Sequence, residues 1–598
     1  MYRVIDFVTK TEVKPHDLVF AGEKNPWEVI MDLELVEQKI NKDYFQSALP
    51  KLAKYLPLMP IRKPSAFVTL RENATPLIKS KHLGPELGIE LYFKLEGKNP
   101  TGSFKDRGSA VDISVAKELG APAVILASTG NMAASCSCYA AAANLPCYVV
   151  VPEDVAMSKL AQVISYGGKI IQVKGNYNDA AALAHEIAKT HGFYLAGDYA
   201  FRVEGQKTAA FEIVDQLLLQ VPDVIVIPIG CGTNITAYAK GFAEYQQLGF
   251  IEHAPQLVGV QSTGANAVVN SFRQGLNTIE KLSHINTIAS AIAVPDPIDG
   301  LKALDAIRHS GGEAFDVTDA EILHAQYLLS TREGLFVETA SAATLAYLLK
   351  KLPNKKLVGK TIVCVLTGDG LKDANVLLKF AIKPPLITPT LQDFDRLYEH
   401  DFFISKTMIF TQTDKTLLSE IPTQAEFNAL LLDVFGVHYE ECYLQNMHRI
   451  ACDMLRKGKA LTLADLQDVV QNALEQVNIN QEPVFTIEDF DVATIKNQQA
   501  HATVTVKLNQ RVHTGSGYGV GPVDAAINAL ANACQAELDF KLKDYKVDIR
   551  HHGTDAVVYV EMKLARDGDI SLGKAASPDI IQASLSAFEV AYNGLFKN

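Results

Sequence analysis

Between residues 75 and 205, short apolar runs alternate with stretches whose apolar positions recur at helical spacing, and turn residues separate the two. Ala-Val-Ile-Leu-Ala at 123–127, with 147–151 and 170–173, predicts buried strands; 132–143 and 176–189 predict helices. The rhythm resumes with helices at 206–220 and 234–246 around a strand at 223–229. Helices at 321–330 and 342–351 and a strand at 361–366 follow. Such alternation implies parallel strands joined by crossover helices, an α/β domain. Residues 1–65 are mixed, with a helix predicted at 26–42 and no chemistry of their own.

From 382 the pattern changes. Lys-Pro-Pro-Leu-Ile-Thr-Pro-Thr is linker chemistry, and 392–478 reads as helices, one of them started by a Thr462-to-Asp465 cap. After Gln-Glu-Pro at 481–483, strand alternation appears at 502–508. A glycine-rich turn, a helix and a second strand set around an Asp567-Gly568 hairpin turn follow, and a helix at 578–595 closes the chain. Four regions result: an N-terminal extension (1–65), an α/β region (66–384) with a smaller subdomain at about 106–205 inserted in a larger one, a mainly helical connector (385–482) and an α+β domain (483–598). No low-complexity tract or short-period repeat interrupts them.

The 598 residues exceed what one core serves. A net charge of −12 argues against nucleic-acid or anionic-membrane partners. The eight cysteines are scattered without a CxxC pair or metal-ligand spacing, as expected of a reduced, cytoplasmic chain. No apolar run is long enough to span a bilayer, and the N-terminus lacks an apolar signal core.

Chemistry concentrates at four turns. In Phe-Lys-Leu-Glu-Gly-Lys-Asn-Pro-Thr-Gly-Ser-Phe-Lys-Asp-Arg-Gly, at 93–108, a strand ends, Asn99 to Gly102 turns, Ser103 stands at an N-cap and Lys105 falls in the first helical turn. The helix dipole there disfavours a lysine charge, which suits an amine that forms a Schiff base beside an anion. Ser128-Thr129-Gly130-Asn131 follows a strand and can hold a carboxylate or phenolate oxygen. Gly230-Cys231-Gly232-Thr233-Asn234 follows another and can cradle a phosphate in its N–H groups. Thr367 to Asp373 ends a third, where a threonine hydroxyl could meet a ring nitrogen. Each turn taken singly is also what a plain helix cap or tight turn requires.

Taken together, these stretches, with Gly175-Asn-Tyr177 and Arg202 to Thr208 (Arg-Val-Glu-Gly-Gln-Lys-Thr), resemble the fold-type-II pyridoxal-phosphate enzymes, and within them the threonine synthase family. The likeness covers about residues 65–380. It implies two open α/β subdomains and pyridoxal 5'-phosphate as cofactor. Lys105 would carry the cofactor and shuttle protons, Asn131 would bond its phenolic oxygen, Gly230, Cys231, Gly232, Thr233 and Asn234 would take its phosphate, and Thr367 would face its ring nitrogen. Ser128 and Thr129 would meet the substrate carboxylate, and Lys159 and Arg202 the substrate phosphate. The family makes threonine and phosphate from O-phosphohomoserine and water. Three departures stand out: Asp369 where the family usually has His, Ala196-Gly197 where it has Asn-Ser, and Glu338-Thr339 where it has Glu-Pro. A cysteate synthase acting on phosphoserine, a threonine dehydratase, or a cofactor-binding amino-acid sensor without turnover would keep the same cofactor residues.

The tail carries Gly517 to Ala525 (Gly-Tyr-Gly-Val-Gly-Pro-Val-Asp-Ala), His552 to Ala556, Asp579 to Ser584 and Tyr592-Asn593. These resemble the regulatory domain of the 2-isopropylmalate synthases, which implies homodimerisation and an amino-acid effector. Gly521, Pro522, Val523, Asp524 and Ala525, with Asp579 and Ser584, would line its site, bare helix N–H groups meeting the effector carboxylate.

Overall fold

The computed structural model describes residues 2–14, 26–38, 40, 52–72, 74–155, 157–197, 200–351, 357–374, 376, 389–391, 394, 416–435, 441–456, 459–462, 465–466, 469–470, 473, 484–496, 498–509, 511–534, 540–549, 558–566, 569–577 and 579–595. The chain forms two compact units, 1–379 and 380–598. Among the described residues no helix is long and apolar enough to cross a membrane.

Among the described residues the first unit has three sheets: a small antiparallel N-terminal one, in the order Glu12–Val13, Tyr2–Asp6 and Trp27–Met31, and two larger ones built from the apolar runs. Of these two, the larger runs in the order Glu313–Val317, Gln256–Ser262, Val224–Pro228, Thr361–Leu366, Glu90–Leu95 and Leu77–Lys79, parallel except at the last pair. The smaller runs Lys169–Val173, Cys147–Pro152, Val124–Ala127 and Tyr194–Leu195, all parallel. Val224–Pro228 is buried throughout, so its sequence is continuously apolar rather than alternating. Crossover helices include Lys105–Glu118, Asn131–Ala142, Thr233–Gln247 and Thr339–Lys351.

Two sequence expectations need correction here. Residues 26–42 are not one helix: Trp27–Met31 is a strand paired antiparallel with Tyr2–Asp6, and only Leu33–Glu37 is helical. Trp27, Val29 and Met31 alternate into the core, and Asp32 accepts from the Leu35 N–H to start the helix after the strand. The helix expected at 206–220 is two, Ala200–Gln206 and Thr208–Gln216. It stops early because Leu218 and Leu219 adopt positive φ angles of 55° and 67°.

In the second unit, Gln424–Phe435 and Glu441–Arg456 share a core that includes Phe427, Leu431, Met447 and Ala451. Thr462 and Asp465 cap one another: the Asp465 N–H donates to the Thr462 hydroxyl, and that hydroxyl and the Thr462 N–H donate to the carboxylate. Beyond them the chain builds three antiparallel strands and a helix, twice. Phe485–Ala493, Ala500–Leu508 and Arg511–Gly519 precede helix Pro522–Cys534; Lys541–Ile549, Val558–Arg566 and Asp569–Ser577 precede helix Ile580–Gly594. Residues 382–388 of the linker, 481–483, His552 to Ala556 and the Asp567-Gly568 turn lie outside the described residues.

One charged cluster ties the first unit together. Arg107 is buried, its Nε and Nη2 donating to Glu96 at 2.7 and 2.9 Å and its Nη1 and Nη2 to Glu212, both at 2.7 Å. Lys94 donates to the same Glu212 at 2.7 Å. Burial alone would raise the Glu212 carboxyl, but Arg107 and Lys94 hold it below its usual range. Removing one partner of such a cluster leaves uncompensated buried charge. Arg107→Met is expected to destabilise the first unit by about 3–5 kcal/mol. Urea unfolding of the full chain followed by Trp27 fluorescence reads this directly, since Trp27 is the only tryptophan; an unmoved midpoint would refute it.

Candidate active site

Lys105 opens its helix as expected, but Ser103 does not cap it. Phe104 holds the cap position, and the Ser103 hydroxyl is buried without a hydrogen-bond partner among the described residues. Backbone pairing explains this: Ser103 bridges to Gly368, and the Phe104 N–H donates to the Thr367 carbonyl at 2.9 Å, so Ser103 lies against the Thr367 loop rather than over the helix end. The first-turn acid binds the preceding turn rather than the helix's own N–H groups. Asp106 accepts from the Thr101 N–H and hydroxyl at 2.7 and 2.6 Å. The Lys105 amine lies 4.8 Å from the centre of the Phe104 ring.

A cavity of about 1590 Å³ opens at the strand ends. Lys105, Ser128, Thr129, Asn131, Lys159, the five residues from Gly230 to Asn234 and Thr367 all line it. Arg202 does not, and the expectation that it meets a substrate phosphate is corrected. It sits on a wholly buried helix facing the Lys105 helix, where its guanidinium donates to the Ser109 hydroxyl at 3.1 Å and the Lys105 carbonyl at 3.0 Å. Asp112 lies 3.8 Å from it. A buried guanidinium needs such partners, and these hold it away from the cavity.

The Gly230–Asn234 turn has the features of an anion cradle. Gly232 has φ +92°, and a Cβ there would lie 2.6 Å from the Asp299 carbonyl oxygen, so no side chain fits. Helix Thr233–Gln247 begins at this turn and presents its unpaired N–H groups. The Asn234 amide nitrogen is buried without a partner among the described residues and belongs to the cavity lining. An orphaned donor, a glycine-lined turn and a helix N-terminus together fit a phosphate.

Opposite, Asn131 donates to both oxygens of Glu338, at 2.8 and 3.0 Å. Glu338 lines the cavity, and burial pushes its carboxyl up to about 7 against the opposing pull of Asn131 and Lys372; Asp373 and Asp369 add to the rise. The Thr367 hydroxyl lies 3.0 Å from the Ser341 hydroxyl. Lys372 donates to the Thr101 carbonyl at 2.8 Å and to Gln162, tying the Thr367 loop to the Lys105 turn and to helix Met157–Ser165. Sequence reading named neither Glu338 nor Lys372 as a site residue. The signal for Glu338 was its place just before a helix that follows a strand-like Leu-Phe-Val, the arrangement that marked the other three turns.

In the tail, helix Pro522–Cys534 starts where Gly521 leads into it, and Ala525 is buried. The two helix ends differ. Asp579 caps its own helix, accepting from the Ile581 and Gln582 N–H groups at 2.7 and 3.2 Å, whereas Asp524 turns back to accept from the Val520 N–H at 2.9 Å, ahead of the helix. The Ser584 hydroxyl donates to the Ile580 carbonyl at 2.6 Å, and Val523 is half-buried beside Pro522.

Residues 68–368 match the family described as pyridoxal-phosphate dependent enzyme, and residues 460–596 match the LeuA allosteric (dimerisation) domain. The threonine synthase of Methanocaldococcus jannaschii is 45% identical over 362 residues, 60% of this chain and 89% of its own. That of Methanosarcina acetivorans is 41% identical over 365 residues, again 60% and 89%. Among solved structures, maize serine racemase aligns over 55% of this chain and 94% of its own, at a TM-score of 0.46 and 22% identity.

Because the Glu338 carboxyl is raised to about 7 in the fold, the folded state holds this proton more tightly than the unfolded chain does. Its stabilising effect is present below the unfolded carboxyl range and is lost as pH rises through about 7. Cofactor-free wild type should therefore lose melting temperature between pH 5 and pH 8 more steeply than Glu338→Gln, whose amide keeps the size without the proton. Parallel slopes in the two proteins would remove Glu338 as the titrating group.

Proposed function

The chain belongs to the pyridoxal-phosphate-dependent enzymes, and within that family we propose that it is a threonine synthase, converting O-phospho-L-homoserine and water to L-threonine and phosphate. The observation that carries the reading is the combination of Lys105 at a helix start with the Gly230–Asn234 anion cradle in one cavity, within a region that two threonine synthases match over 89% of their length.

Bound at Lys105, pyridoxal phosphate supplies the electron sink that lets the substrate lose its Cα and Cβ protons. The Lys105 amine holds the cofactor and moves the Cα proton. N–H groups of Gly230 to Asn234 hold the cofactor phosphate, Asn131 its ring oxygen, and the Thr367 hydroxyl, steadied by Ser341, its ring nitrogen. Ser128 and Thr129, beside the start of helix Asn131–Ala142, take the substrate carboxylate. With Arg202 committed to the Lys105 carbonyl, exposed Lys159 is the cation left to meet the substrate phosphate. Loss of phosphate from Cγ, return of a proton there, addition of water at Cβ and return of the Cα proton complete the reaction. Glu338, holding a proton beside Asn131, keeps that corner of the cavity neutral.

A second reading rests on the cavity wall at Ala196-Gly197, which offers no polar side chain. It favours another amino-acid substrate: phosphoserine, as in a cysteate synthase, or threonine itself, as in a dehydratase, or a sensor without turnover. The tail, matching the LeuA allosteric (dimerisation) domain, is read as joining two copies of the chain and binding an amino-acid effector through the Gly521–Ala525 and Asp579–Ser584 segments.

Phosphate release from O-phosphohomoserine, with threonine identified as product, tests the first reading, and release only from phosphoserine selects the second. Lys105→Ala should lower turnover by about a thousandfold or more and abolish the visible absorption band of bound cofactor. Leucine, isoleucine, valine and threonine, added singly, test the tail. An effector must raise melting temperature or change rate, and four null results would end the regulatory reading.

A further inference from the structure

The N-terminal sheet has no place in the chemistry so far, yet it reaches the cavity. Pro26 and Trp27 line it, and strand Trp27–Met31 is held by five residue pairs to Tyr2–Asp6. The Trp27 carbonyl accepts from Lys302 Nζ at 2.8 Å. The same amine lies 2.5 Å from Asp299 Oδ1. Asp299 Oδ2 accepts the Thr233 hydroxyl at 2.7 Å, and the Asp299 N–H donates to the Cys231 carbonyl at 2.9 Å. Lys302 and Asp299 are 4% and 2% exposed. An unbroken run of polar contacts thus leads from the first strands of the chain to the Gly230–Asn234 turn.

Its electrical logic is specific. A lone buried carboxylate next to an anion cradle would repel the anion it is meant to receive. Lys302 cancels that charge and, being fixed at the Trp27 carbonyl, cannot swing away to solvent. Asp299 in turn shapes the cradle from three sides: its carboxylate takes the Thr233 hydroxyl, its N–H takes the Cys231 carbonyl, and its own carbonyl packs where a Gly232 side chain would stand. With the Thr233 hydroxyl proton used by Asp299, Thr233 offers an anion its backbone N–H, pointed by the fold of the turn.

We propose that the Trp27 carbonyl, Lys302 and Asp299 form a positioning relay that holds the Gly230–Asn234 turn in its phosphate-binding shape, which makes the N-terminal sheet a working part of the cofactor-phosphate site. The relay rests on the reading that this turn receives the cofactor phosphate.

The only tryptophan, Trp27, lines the cavity and so reports ligand arrival. Quenching of its fluorescence in the full-length protein gives dissociation constants for pyridoxal phosphate and for pyridoxal, which lacks the phosphate. The wild type should prefer the phosphorylated form strongly. Lys302→Met should cut that preference by about tenfold, by weakening pyridoxal phosphate while leaving pyridoxal nearly unchanged. Thr233→Val should do the same, and the double variant should add little to the larger single effect, as expected for two links of one chain. Should Lys302→Met not fold, Thr233→Val carries the test alone. Equal weakening of both ligands, an unchanged preference in both variants, or effects that multiply in the double variant would overturn the relay while the phosphate placement stands. A wild type that binds both forms equally would overturn the placement and the relay with it.

Discussion

The first unit depends on one arginine being able to satisfy two buried carboxylates at once. Arg107 lies two residues beyond Lys105, and its planar fork reaches Glu96 just past the end of strand Glu90–Leu95 and Glu212 on helix Thr208–Gln216. The Thr75 and Thr208 hydroxyls complete its shell at 3.0 and 3.1 Å. A lysine could not replace it, because a single point charge cannot pair bidentately with both acids. With Lys94 the cluster holds two cations and two anions, so no net charge is buried. Strand, Lys105 helix and crossover helix are thereby fixed at one point, and the position of Lys105 along its helix follows from it.

Arg202 does the complementary work from the other side. Its guanidinium grips the Lys105 carbonyl, so Lys105 is held by its backbone while its side chain faces the cavity. The Thr367 loop fastens the preceding turn through backbone bonds at Gly102, Ser103 and Phe104. Preorganisation of this kind lets an amine move protons without the scaffold having to reorganise. It also explains why an arginine in a motif otherwise shared with an enzyme family can be structural: the same side chain can bind a substrate anion or a backbone carbonyl, depending on which is nearer.

Much of this was legible in the sequence, and the exceptions share a cause. Strand Thr361–Leu366 and the helices after each glycine turn follow from local chemistry, because apolar runs, turn residues and N-terminal caps act within a few residues. Trp27–Met31 was misread because Trp-Glu-Val-Ile-Met-Asp-Leu has apolar residues at spacings that serve either period, and only pairing with Tyr2–Asp6 decides the matter. The surroundings of Arg202 and Glu338 were beyond reach for a similar reason. Whether a charged side chain faces a cavity or a core depends on residues far along the chain: Ser109 and Lys105 for the first, Asn131 and Lys372 for the second. Local sequence reports the element; the charge's surroundings are a tertiary fact.

The tail shows the same division between local pattern and distant partner. Gly515, Gly517 and Gly519 alternate along one strand, and a Cβ on each would lie 2.3, 2.4 and 2.2 Å from the backbone nitrogens of Ala533, Ala529 and Ala525. Two strand residues advance about 6.7 Å and four helical residues about 6 Å, so the two rows stay in step. Gly573 meets Ala587 and Ala591 in the second copy of the motif. Each helix is therefore held backbone to backbone on its sheet, and its N-terminus has little freedom to move. At the second terminus Asp579 already bonds the helix's own N–H groups, whereas at the first Asp524 bonds the Val520 N–H of the preceding turn. The chain's own carboxylate thus occupies the N–H groups of the second helix end, while at the first the carboxylate is turned onto the preceding turn.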